Sequence, residues 1–217
     1  MECVVAEAFT DVPSEAPHVG EADLIARAVE GRRREFITAR RCARSALAAL
    51  GSSHQGPILA GPAREPLWPP GVVGSITHCS GYRAAAVARR DDIIGLGIDA
   101  EPHLPLPDGV MGAVATTPER IRLTPLRRHM PEVQWDLILF SAKEAVLKAW
   151  FPMTRRWVDF REIDVRLEPS TASFTAAIRD HTPFEVSEGD ALSRVSGRFV
   201  TAGGFVMTGV AVSRGGK

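Results

Sequence analysis

The spacing of apolar and polar positions divides the chain into two stretches of similar build. The opening run CVVAEAF, within residues 1–10, reads as a strand, and residues 11–20, with two prolines and a glycine, read as a loop. A helical period then covers roughly residues 21–50. Phe36, Ala43, Leu47 and Leu50 fall on one face of it, and Gly51 stands where a helix C-terminus favours a residue free to take a positive φ. Residues 51–71 are rich in Gly and Pro and predict an extended connector. Three strands follow: GVVGSITH (71–78), YRAAAVARR (82–90) and IIGLGIDAE (93–101), the last two separated by a polar turn. Pro102, Pro105 and Pro107 predict a linker. From about 117 to 150 the pattern is mostly helical and ends in WDLILFSAKEAVLKAW; REIDVRL, ASFTAAI and GGFVMTGVAV read as strands of the remainder. Helix, strands, linker, helices, strands is the order of an α+β protein with two lobes, 1–106 and 107–217.

Composition narrows the function classes. The 217 residues carry 26 Lys plus Arg and 26 Asp plus Glu, so whole-molecule attraction to nucleic acid or to a membrane is not expected, and any anion site must come from local clustering. Cys3, Cys42 and Cys79 are scattered and give neither a disulfide framework nor zinc-ligand spacing, which fits a reducing cytoplasm. The start has an acidic residue at position 2 and lacks the basic region of a secretory signal. No apolar run approaches the ~18 residues that span a bilayer.

Three motifs carry candidate chemistry. Asp99 and Glu101, two apart in GLGIDAEP, share one face of a strand, while Ile98 and Ala100 point to the other. Neighbouring carboxylates resist ionising without a cation, and oxygen ligands at this spacing suit a hard one such as Mg²⁺; a solvated strand end is the plainer alternative for the pair alone. In SAKEAVLKAW, Glu144 and Lys148 are i, i+4 neighbours beside Lys143. This is either a surface ion pair or, on so apolar a helix, a base or metal ligand with lysines ready for phosphate. Seven arginines lie within residues 27–44, of which Arg33, Arg40 and Arg44 share a helical face while Arg32 leans to the apolar side; arginine is the preferred partner of phosphate. His78 ends a strand before a glycine-containing turn, where a ligand contact is plausible.

Taken together, GSITHCSGYRAA, GIDAEPH and FSAKEAVLKAWFP come in the order and spacing of a known family. The sequence resembles the Sfp-type 4′-phosphopantetheinyl transferases, in their actinobacterial branch, from about Arg32 to Trp157. The resemblance implies a monomeric pseudo-dimer of two α+β lobes with coenzyme A in the cleft between them. It also implies a holo-[acyl-carrier-protein] synthase type reaction. A serine hydroxyl of an apo acyl or peptidyl carrier protein attacks the β-phosphate of coenzyme A, and adenosine 3′,5′-bisphosphate leaves. The carriers would belong to fatty-acid, polyketide or nonribosomal-peptide synthesis, with neither nucleic acid nor membrane as partner. Asp99, Glu101 and Glu144 match the family's Mg²⁺ ligands, with Mn²⁺ as an alternative ion, and Glu144 also matches the general base. Lys143 and Lys148 match lysines near the phosphates, Lys148 stabilising developing charge. His78, with Thr77 beside it, matches a phosphate contact, and Arg32 and Arg40 match basic positions near the 3′-phosphate. The chain departs from the family at Ala60, where relatives carry lysine and where Arg64 stands in for the charge, and at Phe140, where many have tryptophan.

Overall fold

The computed structural model describes residues 3–178, 184–187, 190–192 and 194–213. Strand β1 (Cys3–Ala8) is followed by a loop and a 3₁₀ turn (Val19–Ile25), and helix α1 (Glu30–Ala49) comes next. The helical period predicted from residue 21 thus becomes a helix only from residue 30. Burial of the Glu21 carboxylate accounts for the difference. It accepts from the Ile58 backbone N–H at 2.9 Å and from Arg44 at 2.8 Å, which fixes the preceding segment as a turn across the helix. At the other end Gly51 takes φ = 82°, as expected of a helix stop.

The three predicted strands form as β2 (Val72–Cys79), β3 (Tyr82–Arg89) and β4 (Ile93–Pro102). β2 and β3 make a hairpin through Gly81, whose φ of 80° suits glycine. β1, β3 and β2 form a three-stranded antiparallel sheet in that order. The alanines of β3 leave room for α1, and Cys42, Ala43, Ala46, Leu47 and Leu50 pack with Ile58, Val72, Ala85 and Val87 as one apolar cluster.

β4 belongs by backbone pairing to a second sheet. The linker leads to α2 (Val110–Val114), α3 (Thr117–His129) and α4 (Trp135–Thr154), and then to β5 (Ile163–Glu168), β6 (Ser173–Ile178), β7 (Phe184–Ser187), β8 (Asp190–Leu192), β9 (Arg194–Ala202) and β10 (Phe205–Ser213). Five strands pair in the order β4-β10-β9-β6-β5, and β7 pairs with β8. β9 lies outside the strand-like segments read from the sequence, although its inward Val195, Gly197 and Phe199 alternate with Arg194, Ser196 and Arg198. The division at 106/107 falls after β4, so a strand of the first sequence half is hydrogen-bonded into the sheet of the second.

The two sheets meet where β2 lies beside β4. Here side-chain hydroxyls replace a backbone ladder. The N–H of Ile98 donates to Ser75 Oγ at 3.0 Å, and that of Ala100 to Thr77 Oγ1 at 3.1 Å. α4 is buried on most of its circumference, which explains its apolar sequence, and it packs against β4 and β10. Among the described residues no helix is long and apolar enough to cross a membrane.

Candidate active site

Gly95, Gly97, Asp99 and Glu101 alternate along one face of β4. The two glycines are the floor on which α4 rests. A Cβ at Gly97 would lie 1.9 Å from the Ala145 carbonyl oxygen, and one at Gly95 would lie 2.3 Å from Met153 Sδ. Two residues further on, the same face carries carboxylates in place of hydrogen. Asp99 is 5% exposed, and its Oδ1 accepts from Lys148 Nζ at 2.6 Å and from Thr77 Oγ1 at 3.3 Å. Asp99 Oδ2 is buried without a partner.

The neighbouring acids respond to this crowding. Burial pushes the Glu101 carboxyl up to about 7; the Asp99 charge adds to the rise, Lys148 opposes it and Glu144 adds again. Burial likewise raises Glu144, with Lys148 opposing and Asp99 adding. The three predicted carboxylates therefore feel one another. Among the described residues, however, no three His, Cys, Asp or Glu side chains stand already gathered as a metal cage.

A cavity of about 190 Å³ lies beside this seam, lined among others by Arg32, Phe36, Arg40, Arg64 and His78. Arg40 is 6% exposed, its guanidinium carbon lies 4.7 Å from the Phe36 ring centroid, and its Nε has no partner. Burial lowers its pKa to about 10, with Glu21 opposing, so an incoming anion would relieve a real cost. His78 is held near 4 by burial first and then by Arg32, Lys148, Arg83 and Arg40, so the ring is neutral at pH 7. Arg32 contacts the His78 ring at Nδ1, 2.9 Å away, and Glu35 lies within 3.6 Å of Arg32, His78 and Arg83.

The two arginine groupings sit differently in the structure. Arg32 and Arg40 line the cavity together, whereas Arg33 donates to the Ile25 carbonyl at 3.0 Å and Arg44 pairs with Glu21. Arg32, Phe36, Ala39 and Arg40 follow the i, i+4, i+7, i+8 stripe of an α-helix. Arg64 lines this cavity and the next one, and Ala60 lines the first, so an arginine reaches the region of Ala60.

The second cavity, of about 410 Å³, is lined by the polar side chains of Ser75, Glu144 and Lys148 and of Arg64 and Glu65, and by apolar Leu147, Phe151, Pro152, Trp157 and Phe160. It shares Arg64, Pro66 and Ile76 with the first.

Two expected phosphate contacts are placed otherwise. Lys143 is fully buried and lines neither of the two cavities. Its ammonium donates to Glu119 Oε2, the Val114 carbonyl and the Phe160 carbonyl, each at 2.8 Å. A cation so enclosed is a structural tie, because withdrawing it would strand Glu119. Thr77 is 3% exposed and its hydroxyl is committed to Asp99 and the Ala100 N–H, so it holds a carboxylate in place. Glu119 was not singled out from the sequence. It completes a capping box with Thr116, and its Oε1 accepts from the Val165 N–H at 2.9 Å, tying α3, α4 and β5 together. The Thr-x-x-Glu spacing was the visible signal. Glu35 and Arg83 left none, because only the fold brings them to His78.

Comparison with known proteins places these features in a family context. Residues 20–88 match the model of the 4′-phosphopantetheinyl transferase N-terminal domain, and residues 95–202 match that of the 4′-phosphopantetheinyl transferase superfamily. The chain is 46% identical to 4′-phosphopantetheinyl transferase Svp of Streptomyces mobaraensis, over 97% of this chain and 85% of that protein. It is 45% identical to 4′-phosphopantetheinyl transferase PptT of Mycobacterium tuberculosis, over 94% of this chain and 90% of that protein. It is 43% identical to 4′-phosphopantetheinyl transferase Npt of Nocardia iowensis, over 89% and 88%.

Proposed function

The chain belongs to the 4′-phosphopantetheinyl transferase superfamily, a family of transferases, and on that premise we propose the following reaction. The phosphopantetheine arm of coenzyme A moves to a serine hydroxyl of an apo acyl or peptidyl carrier protein, with Mg²⁺ required and adenosine 3′,5′-bisphosphate released. The two lobes, 1–106 and 107–217, would bind coenzyme A between them. One observation carries the reading: a buried carboxylate oxygen without a partner, Asp99 Oδ2, beside two raised carboxyls and next to linked cavities, one lined by arginines and one apolar.

Each part of the substrate has a chemical match. The 3′-phosphate suits Arg32, Arg40 and Arg64, and a neutral His78 can donate one N–H to a phosphate oxygen. The amide-linked arm suits the larger cavity. Asp99, Glu101 and Glu144 would hold the divalent ion, Mg²⁺ or Mn²⁺. This oxygen-only set suits a hard cation, and a cation would relieve both the orphaned Asp99 oxygen and the crowding that raises its neighbours. When bound, the ion supplies charge neutralisation at the pyrophosphate.

The chain's own groups carry the rest. Lys148, half-exposed toward the cavity, presents positive charge where negative charge develops on the departing phosphate. Glu144, which lines the cavity beside Lys148, accepts the serine proton, directly or through water, as the oxygen bonds to the β-phosphorus. The bond from that phosphorus to the bridging oxygen breaks, and adenosine 3′,5′-bisphosphate leaves with the electron pair. Apo carriers from several pathways, incubated with coenzyme A, Mg²⁺ and the purified protein, test the proposal by intact mass. Gain of one phosphopantetheine on a carrier serine is expected; no gain on any carrier would refute it.

A further inference from the structure

Three elements bring one charge cluster together beside the arginine-lined cavity. On α1, Arg32 and Glu35 stand three residues apart and share a helix face. On the β2–β3 hairpin, the antiparallel register sets His78 opposite Arg83, so both side chains leave the sheet on the same side. Arg32 and His78 line the cavity, whereas Glu35 and Arg83 do not.

The Glu35 carboxylate joins these two layers. Its Oε2 lies 3.5 Å from Arg32 Nη1 and 3.4 Å from His78 Nδ1, and its Oε1 lies 3.6 Å from Arg83 Nη2. Arg83 is the fixed point. Its side chain is 7% exposed, and it donates to the Cys79 carbonyl and to Asp11 Oδ2, each at 2.7 Å. The Arg32 side chain is 42% exposed and has rotamers to spare. It also faces the like charge of Arg40, which would drive it toward solvent. Glu35 supplies the opposing charge, tied through Arg83 to the sheet.

We propose that Glu35 is a positioning residue for phosphate recognition: it holds Arg32 and His78 ready for the 3′-phosphate of coenzyme A and thereby sets the preference for coenzyme A over its 3′-dephospho form. The inference rests on the reading that the arginine-lined cavity takes that phosphate. A donor held beforehand loses little freedom when the ligand arrives, and preorganisation gains affinity in this way. Glu35 lines neither cavity, so it acts through the donors and not by contact with the ligand.

The test measures kcat and KM for loading one carrier from coenzyme A and from 3′-dephospho-coenzyme A, with the wild type and Glu35→Gln. Glutamine keeps the volume, and Arg83 keeps Asp11 and the Cys79 carbonyl, so the fold should hold; a urea midpoint near that of the wild type verifies this. Where Glu35→Gln does not fold, Glu35→Asp, which keeps the charge but shortens the reach, serves in the same measurement. The wild type is expected to prefer coenzyme A by ~10-fold or more in kcat/KM, and Glu35→Gln to lower that preference ~5-fold or more, through KM for coenzyme A and not through kcat. A loss of equal size on both substrates, a loss confined to kcat, or an unchanged preference would overturn the proposal. A wild type that loads from both substrates equally well overturns the placing of the 3′-phosphate and the proposal with it. A wild type that loads no carrier from coenzyme A overturns the transferase reading itself.

Discussion

Lys143 and Lys148 stand five residues apart on α4, and each meets a carboxylate, yet the two pairs do opposite work. Lys143 and Glu119 are both sealed from solvent, and the pair bonds to groups that hold secondary structure in place: a capping box, two carbonyls and the start of β5. Lys148 and Asp99 are at least as close, at 2.6 Å, but Lys148 is 30% exposed, it borders a cavity, and one Asp99 oxygen has no partner. The lesson is one of bookkeeping at the level of atoms. A satisfied pair fixes the rotation of the helix, and an unsatisfied one is a site to which that rotation delivers Glu144 and Lys148.

Four experiments break or sharpen this contrast. The largest effect is expected at the sealed pair: Lys143→Met should cost about 3–5 kcal/mol of stability by stranding a buried carboxylate, seen as a lower urea midpoint. A midpoint near that of the wild type would end the structural assignment of Lys143. At the open pair the loss should be of activity. Asp99→Ala and Glu144→Ala should each reduce carrier loading by ~10²–10³-fold or more while the urea midpoint stays close to the wild type. Near-normal turnover in either would refute the metal and base assignments.

Smaller effects separate neighbouring arginines. Arg32→Ala should raise the KM for coenzyme A about 10-fold, equivalent to ~1.4 kcal/mol, whereas Arg33→Ala should leave it unchanged. Equal effects would return the choice to the simple helical-face argument. The smallest effect is the pH dependence of stability in the metal-free protein. Glu101 is raised from 4.5 to about 7, so its contribution is full below 4.5 and is lost as pH rises through 7. His78 is lowered from 6.5 to about 4, so its contribution is full above 6.5 and is lost as pH falls toward 4. The two windows overlap with opposite slopes. Urea titrations of Glu101→Gln and His78→Gln, each subtracted from the wild type in the presence of a chelator, should therefore show differences of opposite sign.

Much of this arrangement is legible from local pattern. Period-2 and period-3.6 signals locate β2, β3, β4, α3 and α4, and the positions of Asp99, Glu101, Glu144 and Lys148 follow from them. The signals fail where long-range contacts override them. Residues 21–29 carry a helical period, but Glu21 is drawn across to the Ile58 N–H and to Arg44. Lys143 and Lys148 look alike in KEAVLK, and only the packing of α3 and β5 over one side of α4 tells them apart. The Glu35–His78–Arg83 cluster joins α1, β2 and β3, and no spacing within a single segment could announce it.

The closeness of α4 to β4 depends on an atom that is missing. A methyl group at position 97 would overlap the Ala145 carbonyl, so the helix would have to lift, and Glu144 and Lys148 would lift with it away from Asp99. A protein engineer who left every cavity-lining side chain in place could still disable the enzyme by adding one carbon at Gly97, which lines neither of the two cavities. Shape at that distance is as much a part of the chemistry as the acids themselves.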